Sequence, residues 1–537
     1  MEKALASKPP RTGRVLSAVW AAGCLALLVA DWNFWAVNRL DADMASEQVL
    51  ARLLAGEGSI LSPNWYYSTE LRVLNTQLVM APLFRFFTDW HTVRVIGSIV
   101  LILLYLGVWF FFARQARFAN AGLFGAGLLV LPYGALYRQY VLEGLYYIPH
   151  IAVSFACLGL LFFYRRAGRR GRAGAAVLFC LLSFLAALGG PRQLFILHIP
   201  ISLALLMLCR LDAGRCRTLA ETVRRSLKSP FAVLLLPCAA GDLFALAGYA
   251  VNAGILSRIY HFQDQSYVAF TGCSLERLEL FLNALLDSFG WQEGKLFSLT
   301  LLFNLAALAL LIFSFWFAFR LVLRSRRFPP EHRLIGAFLL TGTLCFALLY
   351  GLTNSGHSDR YLLPLAILFV PLLEIANADC APVRRPDARL LTGCLAAVLL
   401  LRAGLDYRQA AVAVNPNRGA AEFLAENGYE NGYASFWDGN IMTELTDGQV
   451  QVWTLTPNSV PELRAWLQPV SHLETPPQGK VFFVISKWEA WGERQPTTEA
   501  LAAAMPEDAL IYEDDTCRIY GFASDEAMRE ACGFGPF

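Results

Sequence analysis

The chain has 537 residues, of which 56% are hydrophobic and only 16% charged, with a mean hydropathy of +0.45. A soluble protein keeps about a quarter of its residues charged, so this composition excludes a wholly water-soluble chain, and lipid must cover part of its surface. The net charge of +3 means little as a total, and no nucleic-acid partner is expected from it.

Apolar runs near helix length begin around Val15, Val93, Ala121, Leu145, Ala173, Leu194, Phe231, Leu296, Leu334, Tyr361 and Leu390. At roughly 20 apolar residues per crossing they amount to about eleven spans. Only helices satisfy their backbone groups in lipid at this spacing, so the fold class is an all-α polytopic membrane bundle. The run from Ala121 to Tyr137 is short and Gly-rich. The first run has a basic flank like that of a signal peptide, but "VADWNFW" is too bulky for a cleavage site, so it reads as a span.

Lys and Arg set the orientation. The N-terminus carries Lys3, Lys8, Arg11 and Arg14. Every second connection is basic: Arg114 with Arg117, "RRAGRRGR" at 165–172, Arg210 to Lys228, "RLVLRSRR" at 320–327 and "VRRPDAR" at 383–389. The expected location is the plasma (inner) membrane. The N-terminus lies in the cytoplasm and, for an odd number of spans, the tail lies outside.

Two domains are expected: a membrane domain over residues 1–404 and a small extracytoplasmic α/β domain over residues 405–537. Two long outer connections, 31–92 and 252–296, belong to the first. In the earlier one Met44, Val49, Leu50, Leu53, Leu54 and Leu61 fall on one helical face. In the later one Leu275, Leu278, Phe281, Leu282, Leu285 and Leu286 do the same. Such helices either lie along the membrane surface or pack within an outer domain. In the tail, "RGAAEFLAENG" reads as a helix stopped by Gly, and "KVFFVIS" and "RIYGFA" read as strands. "GYASFWDGNIMTEL" at 432–445 is either a sugar-facing surface or an ordinary strand and loop. Cys517 and Cys532 share the tail and could pair. No CxxC pair or HxxxH spacing appears.

"DADMASEQVLARLLAGEGSILSPNWYYSTEL" follows the first span and gathers Asp41, Asp43, Glu47 and Glu70 at the membrane edge. Carboxylates there are costly and usually functional. One of them could act as a general base toward an acceptor hydroxyl or hold a divalent metal. Asp41 could instead cap the helix that follows.

The order of these features resembles the GT-C glycosyltransferases, among them the aminoarabinose transferases of lipid A and the protein O-mannosyltransferases. Laid on this chain without gaps, their pattern matches Asp43 to the essential Asp, Leu50–Ala51 and Leu54 to the helix face, and Pro63 to the Pro. Glu70 falls within a couple of residues of the second acid. Those families usually have Asp-Glu, whereas Asp43 is followed by Met44. Their Lys-Gly-Pro turn before a later span is matched by "ALGGPRQL" at 187–194: Gly190 and Pro191 agree, but Gly189 stands at the Lys position, so Arg192 would supply the charge. "TNSGHSDRYLLP" at 353–364 gathers His357, Asp359, Arg360 and Tyr361 at a late outer loop, where these enzymes place a basic residue toward the donor.

The resemblance implies transfer of a sugar from a polyprenyl-phosphate carrier to an acceptor hydroxyl on a glycan, lipid or protein, outside the cytoplasm and with inversion. Asp43 would be the base, with Asp41 and Glu70 beside it. Arg192, Arg360, His357, Tyr361, Arg138, Glu143 and Tyr67 would line the substrate site. Cofactor need is open: no metal, or a divalent one. The competing readings are a surface-polysaccharide polymerase or ligase, and a transporter or flippase. Early acids disfavour the first. Few midplane charges, Asp242 chief among them, and the lack of an internal repeat disfavour the second.

Overall fold

The computed structural model describes residues 11–262, 269–294, 298–324, 327–354, 358–379, 386–456, 461–487 and 495–535. Its helices in chain order are α1 (Arg11–Phe34), α2 (Ala42–Glu57), α3 (Gln77–Leu83), α4 (Trp90–Ala116), α5 (Ile148–Arg166), α6 (Arg169–Ala187), α7 (Ile199–Ala213), α8 (Ala232–Gly254), α9 (Leu275–Ser288), α10 (Leu299–Leu323), α11 (Pro330–Leu352), α12 (Pro386–Val412), α13 (Arg418–Glu426) and α14 (Phe436–Leu445), joined by shorter turns. Among the described residues, eight stretches are long and apolar enough to cross a bilayer: α1, α4, α5, α6, α7 with the turn before it, α8, α10 and α11. The chain is a multi-pass membrane protein.

Contacts divide the chain into two compact units. One comprises 1–31, 99–255 and 265–407; the other comprises 32–98, 256–264 and 408–537.

In the first unit, glycines let neighbouring spans approach closely, as is common in membranes. A Cβ at Gly241 would strike the Phe179 ring, and one at Gly248 would strike the Phe184 carbonyl, which draws α8 against α6. Two of the eleven apolar runs are divided helices. The run from Ala121 forms a helix over Leu123–Leu129 and then breaks before a π-helical turn over Arg138–Glu143. Pro132 and Gly134 explain the break. The freed backbone finds partners inside the protein, as lipid requires: Tyr137 Oη donates to Leu129 O at 2.6 Å, and Gly125 N donates to Glu374 Oε1 at 2.6 Å. The run from Tyr361 is divided into a 3-10 turn over Asp359–Leu362 and helices over Leu363–Ala366 and Phe369–Asp379, with Pro364 and Pro371 in it. Asp242, the charge expected deepest in the bilayer, is tied down. His198 Nδ1 lies 2.9 Å from its Oδ1, and Ser202 Oγ donates to its Oδ2 at 2.5 Å.

The second unit contains a sheet of β2 (Asn431–Ser435), β3 (Gln451–Leu455), β5 (Val481–Ser486), β6 (Leu510–Glu513) and β7 (Cys517–Phe522) in the order β3-β2-β5-β7-β6. Its first three strands are parallel and its last two pairings antiparallel. Alternation along the strands buries Ala434, Val452, Phe482 and Val484 on one face with α13, and Tyr433, Trp453, Phe483 and Ile485 on the other. A two-stranded ladder of β1 (Trp65–Tyr66) and β4 (Gln468–Pro469) joins the first outer connection to the tail. That connection therefore folds with the tail as one unit.

This fold decides two open readings and one expectation. Helix α2 is a packed helix: Met44, Ala45, Ser46, Glu47, Gln48, Val49, Leu50, Ala51 and Leu54 are all buried. Its Ser46 Oγ accepts from Asn440 Nδ2 at 2.7 Å. "GYASFWDGNIMTEL" is β2 followed by α14, and its Asp438 is buried with Oδ2 accepting from Ser435 and Ser486 hydroxyls, each at 2.6 Å; it is core, not a sugar-facing surface. Cys517 and Cys532 do not pair. Both are free, Cys517 in the core and Cys532 beside Met505.

His472 lies flat on Trp453, with ring centroids 4.0 Å apart. Burial pushes its imidazole down from 6.5 to about 4. The unfolded chain therefore binds this proton more readily than the folded one, so stability falls as pH drops from about 6.5 to about 4, by up to ~3 kcal/mol. Thermal unfolding of the purified chain between pH 7.5 and 4.5 is expected to show a shallower acid loss in His472→Phe, which keeps the stacking. Equal pH slopes in both proteins would exclude His472 as the cause.

Candidate functional site

In the second unit the acidic stretch separates into distinct roles. Asp41 is the N-cap of α2, its Oδ1 accepting from Met44 N at 2.8 Å. Asp43 follows in the first helical turn and is half-buried, where the helix dipole accommodates a negative side chain. Glu47, one turn on, is buried and engaged: its Oε2 accepts from Thr76 Oγ1 at 2.6 Å, and its Oε1 lies 3.2 Å from Arg72 Nε. Glu70 is buried as well. Gly58 closes α2 at φ 69°, the left-handed cap that glycine favours. Just before it, Glu57 accepts from Ser59, Ser62 and Asn64 around Pro63.

Tyr67 stands elsewhere than expected. It is wholly buried, its hydroxyl accepts from Ser62 N at 2.9 Å, its amide donates to His261 O at 2.8 Å, and its ring meets Tyr260 edge-on. Its geometry holds the loop and presents no surface to a substrate.

The start of α2 is fixed by residues far away in sequence. Arg94 Nη2 donates to Met44 O at 3.0 Å and to Glu444 Oε2 at 2.6 Å, while its Nε reaches Glu444 Oε1. Gln48 Nε2 donates to Trp90 O at 2.9 Å. The backbone beside Asp43 is thus anchored to a buried, two-point ion pair.

In the first unit the structure gathers Arg192, Arg360 and Tyr361. Gly190, at φ 132°, takes a conformation closed to most side chains and turns the chain after α6. Pro191 and Arg192 follow, ahead of a π-helical turn over Leu194–His198. Arg192 Nη1 donates to Tyr147 Oη at 3.1 Å, and its Cζ stands 4.7 Å from the Tyr361 ring centre and 5.5 Å from that of Tyr147. Arg360 Cζ stands 5.2 Å over Tyr140, whose ring is 5.8 Å from Tyr147. His150 meets Tyr147 edge-on at 5.5 Å. Two guanidiniums with planar donors are thus held against one aromatic cluster. Tyr146 and Tyr147 are buried and pack with Tyr140 in this cluster.

The turns that carry these groups are irregular. Tyr140 rides on the π-helical turn over Arg138–Glu143, and Arg192 precedes the second such turn; π turns recur at functional sites. Leu145 sits at φ 63°, a conformation costing a bulky side chain of order 1–3 kcal/mol and typical of working sites. Arg138 and Glu143, expected at the substrate, pair with each other, Nε to Oε1 at 3.5 Å, and Arg138 Nη1 lies 3.4 Å from Asp406 Oδ2. His357 lies outside the described residues.

One acid in this unit escaped notice in the sequence. Burial, with Asp359 and Glu293 as neighbours, pushes Asp287 up to about 6, and burial raises Asp359 too. Ser288 Oγ donates to Asp359 O at 3.1 Å, so the end of α9 touches the turn that carries Arg360. Asp287 is one of three acids on an amphipathic helix, with Glu276 and Glu279, and nothing local singles it out. Among the described residues no group of three or more His, Cys, Asp and Glu side chains is arranged to hold a metal ion.

Neither a protein-family model nor any curated protein sequence matches the chain. Its structure does match a solved one: the crystal structure of ArnT from Cupriavidus metallidurans bound to undecaprenyl phosphate, with a TM-score of 0.56 and 13% identity, over 98% of this chain and 100% of that one. At that identity the likeness speaks for architecture alone, and the chain is a polytopic membrane protein with a fold like that of ArnT.

Proposed function

We propose that the chain is a membrane glycosyltransferase that moves a sugar from a polyprenyl-phosphate carrier to an acceptor hydroxyl. The observation that carries this reading is the pair Arg192 and Arg360, both held against the Tyr140–Tyr147–Tyr361 cluster in a chain whose fold matches that of an undecaprenyl-phosphate-bound protein. Guanidiniums suit a phosphate because their donors form a fork that fits its oxygens.

Asp43 takes the proton of the acceptor hydroxyl. The acceptor oxygen attacks the anomeric carbon while the bond from that carbon to the phosphate oxygen breaks, and polyprenyl phosphate leaves. Arg192 and Arg360 offset the charge that develops on the departing phosphate. A single displacement of this kind inverts the anomeric centre. Glu70 orients the acceptor. The Lys and Arg bias of alternate connections supports an extracytoplasmic site at the inner membrane, with the N-terminus in the cytoplasm.

Arg192→Ala is expected to raise the donor KM about 10- to 100-fold, the equivalent of the roughly 1.5–3 kcal/mol of a hydrogen bond to a charged group. The acceptor KM should change little. Steady-state transfer assays with donor and acceptor varied in turn make the comparison, and an unchanged donor KM would remove Arg192 from the phosphate site.

A further inference from the structure

At the basic end of the bundle, away from every residue assigned above, α4, α5 and α6 leave a groove of about 1040 Å³. Its apolar walls include Phe110, Phe163 and Leu178, all substantially exposed. Gly171 and Gly174 lie along α6, and a Cβ at Gly174 would meet nothing within 4 Å, so the groove is open there. Arg114, Arg117 and Arg166 also line it. A second groove of about 470 Å³ shares Arg114 and Arg117 and adds Arg14. Neither groove has an acidic residue in its lining.

The three arginines are not equivalent. Arg166 is fixed: its Nη2 donates to Gln115 O at 2.6 Å and to Gln115 Oε1 at 2.8 Å. The nearest acid, Glu331, is held by Arg165 and lies 3.9 Å from Arg166. Arg114 and Arg117 are exposed and have no ion pair among the described residues. Orientation in the membrane needs only basic residues somewhere in these connections. It does not require three of them to line one apolar groove together with Gly171 and Gly174.

We propose that this groove binds an anionic glycerophospholipid of the adjoining leaflet, with its phosphate between Arg114, Arg117 and Arg166 and an acyl chain along the glycine side of α6. Basic pockets between spans select lipid headgroups in this way. The site is separate from Arg192 and Arg360 and rests on none of the residues assigned to transfer.

The test uses the full chain purified in neutral detergent, with native mass spectrometry counting bound lipid and thermal unfolding read alongside. Probes are dioleoylphosphatidylglycerol, dioleoylphosphatidylcholine and inorganic phosphate. Phosphatidylglycerol should bind at least tenfold more tightly than phosphatidylcholine and raise the unfolding temperature. Arg114→Gln with Arg117→Gln should erase that preference. Gly174→Leu, which keeps every charge and fills the groove, should weaken phosphatidylglycerol binding by a similar factor. Both variants should bind undecaprenyl phosphate as the parent does, so failure here is distinguishable from failure of the transferase reading. Equal binding of the two phospholipids, or an unchanged preference in either variant, would overturn the proposal. So would equal protection by inorganic phosphate, which would reduce the site to an anion contact.

Discussion

Asp43→Asn is expected to lower sugar transfer by about 10²- to 10⁴-fold, the usual contribution of a positioned general base, while the protein accumulates in membranes at the parent level. The substitution keeps shape and removes only the proton-accepting charge. Asp43 lies one position before Met44, whose carbonyl Arg94 holds, and two after the cap Asp41. The side chain therefore stands on a fixed turn, and the loss should fall on kcat more than on either KM. Asp41→Asn should be much milder, since asparagine caps a helix about as well as aspartate. Comparable activity of Asp43→Asn and parent would end the assignment of Asp43 as base. An equal collapse in Asp41→Asn would move that assignment to Asp41.

The second large effect concerns stability. Glu444→Ala leaves Arg94 buried with its charge uncompensated, and breaking such a pair costs about 3–5 kcal/mol. The side chains of Arg94 and Glu444 are only 10% and 7% exposed, so water replaces little of what is lost. Because Arg94 also holds Met44 O, the start of α2 should loosen, and activity should fall together with unfolding temperature. Replacing both residues, Arg94→Met with Glu444→Leu, should recover much of the stability, since a buried pair is often worth no more than apolar residues of like volume. Recovery of stability without full recovery of transfer would separate the anchoring of α2 from the fold. A Glu444→Ala protein with the parent's unfolding temperature would show that the pair holds nothing.

The membrane fold was legible because apolar length is a strong local signal, and Asp41 could be read as a cap because capping is decided within four residues. Gly190 and Pro191 carried the turn before Arg192 for the same reason. What escaped the sequence depends on distant partners. The Arg94–Glu444 pair spans 350 positions, and nothing near either residue announces the other. Leucine spacing on α2 showed an apolar stripe but not that Ser46, Glu47 and Gln48 are buried too; those polar groups are admitted by partners from Thr76, Trp90 and Asn440. The same holds for Tyr67, where an aromatic beside an acidic loop gave no sign that Ser62 and His261 enclose it. Nor does anything beside Glu47 announce Arg72 and Thr76, which occupy it. Tyr140 and Tyr147 are the surfaces against which Arg360 and Arg192 are held, at separations of 220 and 45 positions that no local pattern bridges.

The most direct test of the transferase account is binding of undecaprenyl phosphate, compared with undecaprenol, to the purified chain and to Arg192→Ala with Arg360→Ala. The account predicts that the parent binds the phosphate at least tenfold more tightly than the alcohol and that the double variant loses this difference, with its unfolding temperature unchanged. Equal affinity for phosphate and alcohol in the parent, or an unaltered preference in the double variant, would contradict it.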